Sequence, residues 1–365
     1  KKLKNFFNIL IYLILKLFKK KFKIHFYKKD GFIQKKDFKK LKNFKVFIIK
    51  NGRIFTNSNE DAVYLKKNFV ISNPSYQYRN SKNSNIKQNF IFRYGINKLK
   101  KKYNGRIVSI ISGGAAKHNY GHWLFDSIFR LLAIRRIKGF KKFDYLYVPS
   151  FKHNYQKEIM NYLKIPFKKI ISSEKKKYIE GLEVICTNHP FFHRFDRISK
   201  PIIDEIKNTF IKFKSLSNLK KHEKIFIERD YSAYNLKRDL LKYKEERILI
   251  NNTEVKNYLS RIGFKSYKLK FLSFADQIKL FSNAKIIVSM FGAELSNLIF
   301  CKKGTKVIEI KNNKKLDEFK NISKICKLNH TQISIKPIYK SKAKQNGIII
   351  CEISRLKRLI TDKKI

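Results

Sequence analysis

Short apolar runs alternate with amphipathic stretches along most of the chain, and this alternation predicts the elements. Residues 106–112 (RIVSIIS) form a buried-strand run that ends in Gly113-Gly114. A helical stretch follows over about 120–137, then a strand at 143–148 and a helical segment around 153–163. A third strand, 183–187, is reached through a turn at Gly181. The Lys/Ser/Asn stretch 212–221 (KFKSLSNLKK) reads as a linker. Beyond it the alternation restarts with strand 224–228, helix 252–261 and strand 265–269. Helix 273–283 opens on Ser273 as N-cap, with Asp276 three residues on as an acidic variant of a capping box. Strand 286–290, helix 293–300 and strand 306–310 complete the second half. The pattern predicts an α/β fold of two Rossmann-like domains facing a cleft. No internal repeat is visible.

The ends of the chain are different. Residues 6–18 (FFNILIYLILKLF) are apolar, broken by Asn8 and Lys16 and flanked by Lys. Thirteen such residues fall short of the roughly 20 a spanning helix needs. No small-residue cleavage site follows, which disfavours a cleaved secretory signal. A basic, apolar segment suits a helix lying in a membrane interface, and a core helix is the alternative. The expected organisation is a membrane-associating segment over 1–25, a first α/β domain over 26–211 and the linker over 212–221. A second α/β domain then spans 222–345, and a C-terminal strand and helix over 346–365 have the option of crossing back to the first domain. Residues 51–100 are polar and Asn-rich, with short β-like runs such as Phe69-Val70-Ile71.

Composition changes this picture less than it first suggests. The chain of 365 residues is 43% hydrophobic and 14% aromatic, as a folded protein is. Its formal charge of +57 comes from 84 basic residues, only 15 of them Arg. The lysines are spread along the chain, accompanied by many Ile, Asn, Phe and Tyr, the set an AT-rich genome favours. A nucleic-acid binder concentrates charge on one element or beside stacking aromatics, so no specific nucleic-acid role is expected. The field would still draw nucleotide diphosphates and acidic lipid head groups. Cys186, Cys301, Cys326 and Cys351 are far apart and form no CxxC pair, so buried free thiols in a reducing compartment are expected.

Three constellations could carry chemistry. The first is 118–131, HNYGHWLFDSIFRL. At helical spacing His122, Asp126 and Arg130 share one face, beside the only Trp, while Leu124, Ile128, Leu131 and Leu132 share the opposite, buried face. A surface helix with an ion pair four residues apart is the plain alternative. The second is 284–310, where a buried strand runs into Phe291-Gly292-Ala293, a short helix, Gly304-Thr305 and another strand. Small residues at such a turn let a phosphate approach backbone N–H groups, although an ordinary βαβ turn also favours Gly. The third places Arg229 at the carboxyl end of a strand, where ligands collect in open α/β sheets, with Arg247 following in RILINNTE. A forked guanidinium matches a diphosphate.

These blocks, in this order, resemble glycosyltransferase family 61, which includes bacterial capsular polysaccharide enzymes and eukaryotic O-linked and xylan-type transferases. The family's first signature resembles residues 119–131. Its second resembles Arg229 with the Arg-x-Leu-x-Asn of 247–251, and its third resembles 292–297 (Gly-Ala-x-Leu-x-Asn) with 304–309 (Gly-Thr-x-Val-Ile-Glu). The likeness covers roughly 106–310. Two positions depart: Phe291 stands where the family usually has His, and Phe129 where it usually has Pro.

The resemblance implies a GT-B-like architecture and an inverting, metal-independent transfer, with no cofactor beyond a nucleotide sugar as co-substrate. The sequence itself shows no Asp-x-Asp, the pair that commonly holds a divalent ion. Asp126 is the candidate general base, with His122 as its partner or the alternative base. Arg229, Arg247 and the Gly292/Ala293 turn would hold the diphosphate, with Ser289 and Glu294 also on the donor side. Asn297 and Glu309 would lie near the nucleoside, and Asn119, Tyr120 and Arg130 complete the first block. The acceptor would be a surface polysaccharide, glycan or lipid-linked glycan, and the place the cytoplasmic face of a bacterial membrane.

Two other classes remain open on the sequence. A metal-dependent hydrolase could use two His-x-x-x-His pairs, His118/His122 and His189/His193, although Pro190 interrupts the second. A non-catalytic nucleic-acid binder is motivated by charge alone.

Overall fold

The computed structural model describes residues 22–25, 33–38, 41, 44–57, 62–75, 78–79, 82–83, 86–111, 115–137, 142–190, 195–229, 246–315, 317–339, 341 and 345–361. The apolar segment 6–18 and the glycines at 113 and 114 lie outside them. The chain divides into two compact units, Lys1–Arg194 with Pro201–Ile206, and Phe195–Lys200 with Lys207–Ile365.

The first unit is built on a mixed ten-stranded sheet. Its parallel part centres on Lys101–Ser109, which pairs on one side with Tyr145–Val148 and, through it, Ile170–Ser172. On its other side it pairs with Tyr178–Thr187, the last of these strands in the sequence. The crossovers therefore reverse direction between Lys101–Ser109 and Tyr178–Thr187. In open parallel sheets such a reversal opens a crevice at the carboxyl ends of the strands. Tyr178–Thr187 also carries an antiparallel arm, pairing with both Lys45–Lys50 and Arg53–Thr56. Gly52 joins those two strands, and a Cβ there would stand 2.7 Å from the Ile49 carbonyl and 2.8 Å from Val184 Cβ. Only a residue without a side chain lets both strands reach the same partner. In KVFIIK the four residues 46–49 are all buried, so both faces of this strand are covered. Phe47, Ile49, Ile107, Ile111, Tyr147 and Val184 form the main core of the unit.

The second unit holds a fully parallel five-stranded sheet. In space the strands run Lys265–Tyr267, Lys224–Ile227, Ile286–Met290, Lys306–Asn312 and Asn329–Ile335. Numbered by sequence the order is 2-1-3-4-5, a doubly wound sheet whose reversal falls between Lys224–Ile227 and Ile286–Met290. Helix Phe274–Asn283 starts as the sequence predicts: Ser273 Oγ accepts from Asp276 N, and the Asp276 carboxylate accepts from Ser273 N. The segment 293–300 forms a 3₁₀ helix, not an α-helix.

Part of the stretch read as a linker is ordered: Ile211–Leu216 is a 3₁₀ helix, and Lys279 Nζ donates to the Ser217 carbonyl at 2.7 Å. The C-terminal strand Gly347–Ile349 pairs with Arg247–Leu249, and helix Ile353–Thr361 buries Leu356 in the second unit's core. Asn251 fixes that segment, exchanging hydrogen bonds with the backbone of Cys351 at 2.8 and 3.0 Å. The C-terminal segment stays with the second unit because its apolar face is already matched there. None of the four cysteines is in a disulfide, and Cys186, Cys301 and Cys351 are buried.

Candidate active site

The candidate residues form two clusters, one in each unit. In the first, the chain leaves strand Lys101–Ser109 and enters a helix in three parts: Tyr120–His122 and Phe129–Arg136 are α-helical, and Trp123–Ile128 between them is a π-helix. The Phe129 N–H reaches back five residues to the Leu124 carbonyl. Widened turns of this kind recur at functional sites. Asn119 caps the helix, its side chain accepting from His122 N at 3.1 Å.

This helix differs from the two-faced one expected. Every residue from Trp123 to Ile134 is buried, the polar face included. Asp126 is fully buried and lies between two imidazoles: its Oδ2 is 2.6 Å from His122 Nδ1, and its Oδ1 is 3.1 Å from His189 Nε2. The second contact has ion-pair distance but does not meet hydrogen-bond geometry. His189 follows the carboxyl end of Tyr178–Thr187, so strands on either side of the crossover reversal supply the cluster. Arg130, four residues on from Asp126, is also buried. Its Nη1 donates to the carbonyl and hydroxyl oxygens of Thr187 at 3.1 and 2.9 Å, tying the helix to that strand. Of Asp126, His122 and His189, only the His122 side chain has appreciable exposure, 19%. Tyr120 packs edge-on against Tyr155 at 5.3 Å, and burial pushes its hydroxyl well above the usual tyrosine range.

Three of the four histidines of the hydrolase reading are described, and His122 meets Asp126 at 2.6 Å. His118 Nδ1 meets His153 Nε2 at 3.0 Å, His189 meets Asp126, and His193 lies outside the described residues. Among the described residues no three His, Cys, Asp or Glu side chains converge as metal ligands would.

In the second unit, the chain emerges from Ile286–Met290 at the reversal and turns at Phe291-Gly292. Two guanidiniums converge there: Arg229 Nη1 and Arg247 Nη1 each donate to the Phe291 carbonyl at 3.2 Å. Arg229 Nη1 also lies 3.4 Å from Glu294 Oε2. Among the described residues, Arg229 Nε is buried without a hydrogen-bond partner. A Cβ on Gly292 would fall 2.2 Å from both Arg229 Nη1 and Glu294 Oε2, so the absent side chain leaves room for that pair. Phe291 is buried edge-on against Phe319 at 5.2 Å, and Arg247 Cζ stands 5.7 Å from its ring centre.

The other donor-side candidates are inside the protein. Asn297 is fully buried and donates to Gln277 Oε1 at 3.0 Å, joining its 3₁₀ helix to helix Phe274–Asn283. Glu309 is also fully buried, its Oε2 accepting from Gln332 at 2.8 Å and facing His330 Nε2 at 2.9 Å. Ser289 Oγ donates to the Met290 carbonyl at 3.0 Å. The turn thus brings Arg229, Arg247, Gly292 and Glu294 together, while Ser289, Asn297 and Glu309 support the structure beneath. The sequence reading missed Thr187 and offered His189 only as a metal ligand. The available signal was their place just at and past the carboxyl end of a strand.

Parallel strands and helices in both units, with an Asp–His cluster at the reversal of one sheet and two arginines at the reversal of the other, make this a protein of the α/β class. The chain belongs to the Glycosyltransferase 61 family, whose profile matches residues 120–308, more than half of its 365 residues. It is a glycosyltransferase, of a family that generally takes a nucleotide-sugar donor and a glycan acceptor. No curated protein matches it.

Proposed function

We propose that the protein moves a sugar, with inversion, from a nucleoside-diphosphate donor held by the second unit to a glycan hydroxyl held by the first. The observation that carries this reading is the burial of Asp126 between two imidazoles while His122 keeps an exposed edge. A buried carboxylate with an oxygen against each ring is poorly placed to take a proton from an acceptor. As an acceptor-only group it fixes the Nδ1–H tautomer of His122 and stabilises the imidazolium that forms. His122 Nε2 is then the base, and Asp126, the sequence's first candidate, is its positioning partner. The acceptor oxygen attacks the anomeric carbon from the face opposite the leaving diphosphate, and its proton passes to His122.

On the donor side, Arg229 and Arg247 face the turn, and Glu294 Oε2 lies 3.4 Å from Arg229 Nη1. Their fork-shaped donors offset the charge that develops on the leaving diphosphate. A GT-B-like arrangement would bring acceptor hydroxyl and anomeric carbon together. The acceptor would be a surface polysaccharide or lipid-linked glycan at the cytoplasmic face of a bacterial membrane. Among the described residues no helix is long and apolar enough to cross a membrane.

The test is thermal unfolding against a panel of nucleoside diphosphates and nucleotide sugars. A ligand at 100 times its Kd adds ~2.7 kcal/mol of stability, visible as a rise in Tm. A shift with one nucleotide class supports the reading. No shift with any member of the panel contradicts it.

A further inference from the structure

Away from the Asp126 cluster, the first unit carries two adjoining clefts of about 550 and 420 Å³ that share Lys98 and Lys177. Their linings differ in a complementary way. The larger has the rings of Phe90 and Tyr94 and the side-chain amides of Asn57, Gln88 and Asn97. Phe90 is buried, but Tyr94 is 62% exposed, with Arg93 Cζ 5.2 Å from its ring centre. The smaller is lined by Lys98, Lys100, Lys101, Lys175, Lys176 and Lys177, with Glu174 the only acidic residue in its wall.

That carboxylate does not neutralise the groove. Glu174 is held by Lys117 at 3.0 Å and Lys152 at 3.1 Å, and of the groove lysines Lys100 pairs with Glu180. Burial, and then the nearby charges of Lys98 and Lys117, lower the pKa of Lys177, as expected where ammonium groups crowd. The positive track continues to Lys117, which immediately precedes His118, Asn119 and the helix bearing His122.

An exposed aromatic face with neighbouring amides suits a sugar ring, whose C–H groups pack on the ring while its hydroxyls find donors and acceptors. A row of lysines in a concave wall suits repeated negative charge. We propose that the two clefts form one site for an acidic glycan, the carboxylate- or phosphate-bearing acceptor of the transfer. Tyr94 receives a sugar face and the lysines receive the charges. This rests on the reading of the first unit as the acceptor side. A membrane surface is the less suitable partner, because the lysines line a cleft in which Leu99 is the one exposed aliphatic side chain, too little for an apolar face.

The test uses the full chain, fluorescent oligogalacturonate as the acidic probe and maltoheptaose as the neutral one, at ~150 mM salt to screen diffuse attraction. Lys98→Glu/Lys101→Glu/Lys176→Glu should weaken oligogalacturonate binding at least about tenfold, equivalent to ~1.4 kcal/mol. A control triple at exposed lysines of the second unit, Lys265→Glu/Lys302→Glu/Lys303→Glu, should change it less than about threefold. Tyr94→Ala should weaken both probes. Equal losses in the two triples would show only the general field of the chain and overturn the site. So would a groove triple that loses binding to phosphatidylglycerol vesicles while keeping oligogalacturonate. Nucleoside-diphosphate binding is read on the same samples. If it persists while the groove fails its test, the acidic acceptor is wrong and the transferase reading stands. If the wild type binds no nucleoside diphosphate, the failure lies with the transferase reading.

Discussion

Gly292→Ala isolates the donor-side proposal with a single methyl group. The native backbone at Gly292 is extended, φ 179° and ψ 169°, so alanine brings no conformational strain. Its Cβ would stand 2.2 Å from Arg229 Nη1 and from Glu294 Oε2, more than an ångström inside ordinary contact. Both are tips of flexible side chains, so the fold accommodates the methyl by turning them aside, and stability should stay within ~1 kcal/mol of wild type. What is lost is the position of the Arg229 fork over the turn. A hydrogen bond to a charged group contributes about 1.5–3 kcal/mol, so nucleoside-diphosphate binding should weaken roughly 10- to 150-fold. Isothermal titration gives the Kd and a melting curve checks the fold. An unchanged Kd with an unchanged Tm would refute the assignment of Arg229 to the diphosphate. If Tm falls steeply, Arg229→Lys replaces the variant, since it keeps the charge and loses the fork.

Two further outcomes are expected. Burial, and then the carboxylates of Glu309, Asp196 and Asp317, raise the pKa of Glu318 above its ordinary 4.5, so the folded state binds this proton more tightly than the unfolded chain. The associated stability is present below that ordinary value and lost as pH rises through the raised one; Glu318→Gln should therefore melt above wild type at pH 7, with the advantage gone near pH 4. Removing residues 1–24 should release the protein from membranes in a fractionation while donor binding persists, and full-length protein found only in the soluble fraction would contradict the membrane role.

The second half of the fold was more legible in the sequence than the first. Its strands and helices are local units, and Ser273 with Asp276 marked a helix start by a hydrogen-bond pattern that spans only three residues. The antiparallel arm was hidden because its pairings are distant: Lys50 meets Glu183 and Phe55 meets Tyr178, contacts no short window of sequence contains. The π-helix was hidden because a helical wheel assumes 3.6 residues per turn throughout. The spacing still put His122 beside Asp126, but the burial of that polar face depends on other elements that no helical wheel contains.

The candidate site was legible in parts for the same reason. Arg229 and Gly292 stood at strand ends, and the doubly wound sheet brings strand ends at its reversal together. Asn297 and Glu309 belonged to equally distinctive motifs, but burial and partners such as Gln277 and Gln332 give them a supporting place. His189 lies 63 residues from Asp126 in the sequence, and only the pairing of Tyr178–Thr187 with Lys101–Ser109 brings it there.

Once the donor is identified, single-turnover transfer by His122→Gln and Asp126→Asn tests the central claim most directly. If His122 is the base, His122→Gln lowers the transfer rate at least ~100-fold while the nucleoside-diphosphate Kd stays within about twofold. Asp126→Asn, which leaves an imidazole in place but spoils its tautomer and its charge partner, lowers the rate by a smaller factor. Near-normal transfer by His122→Gln, above all beside a large loss in Asp126→Asn, would contradict the account and return the proton to Asp126.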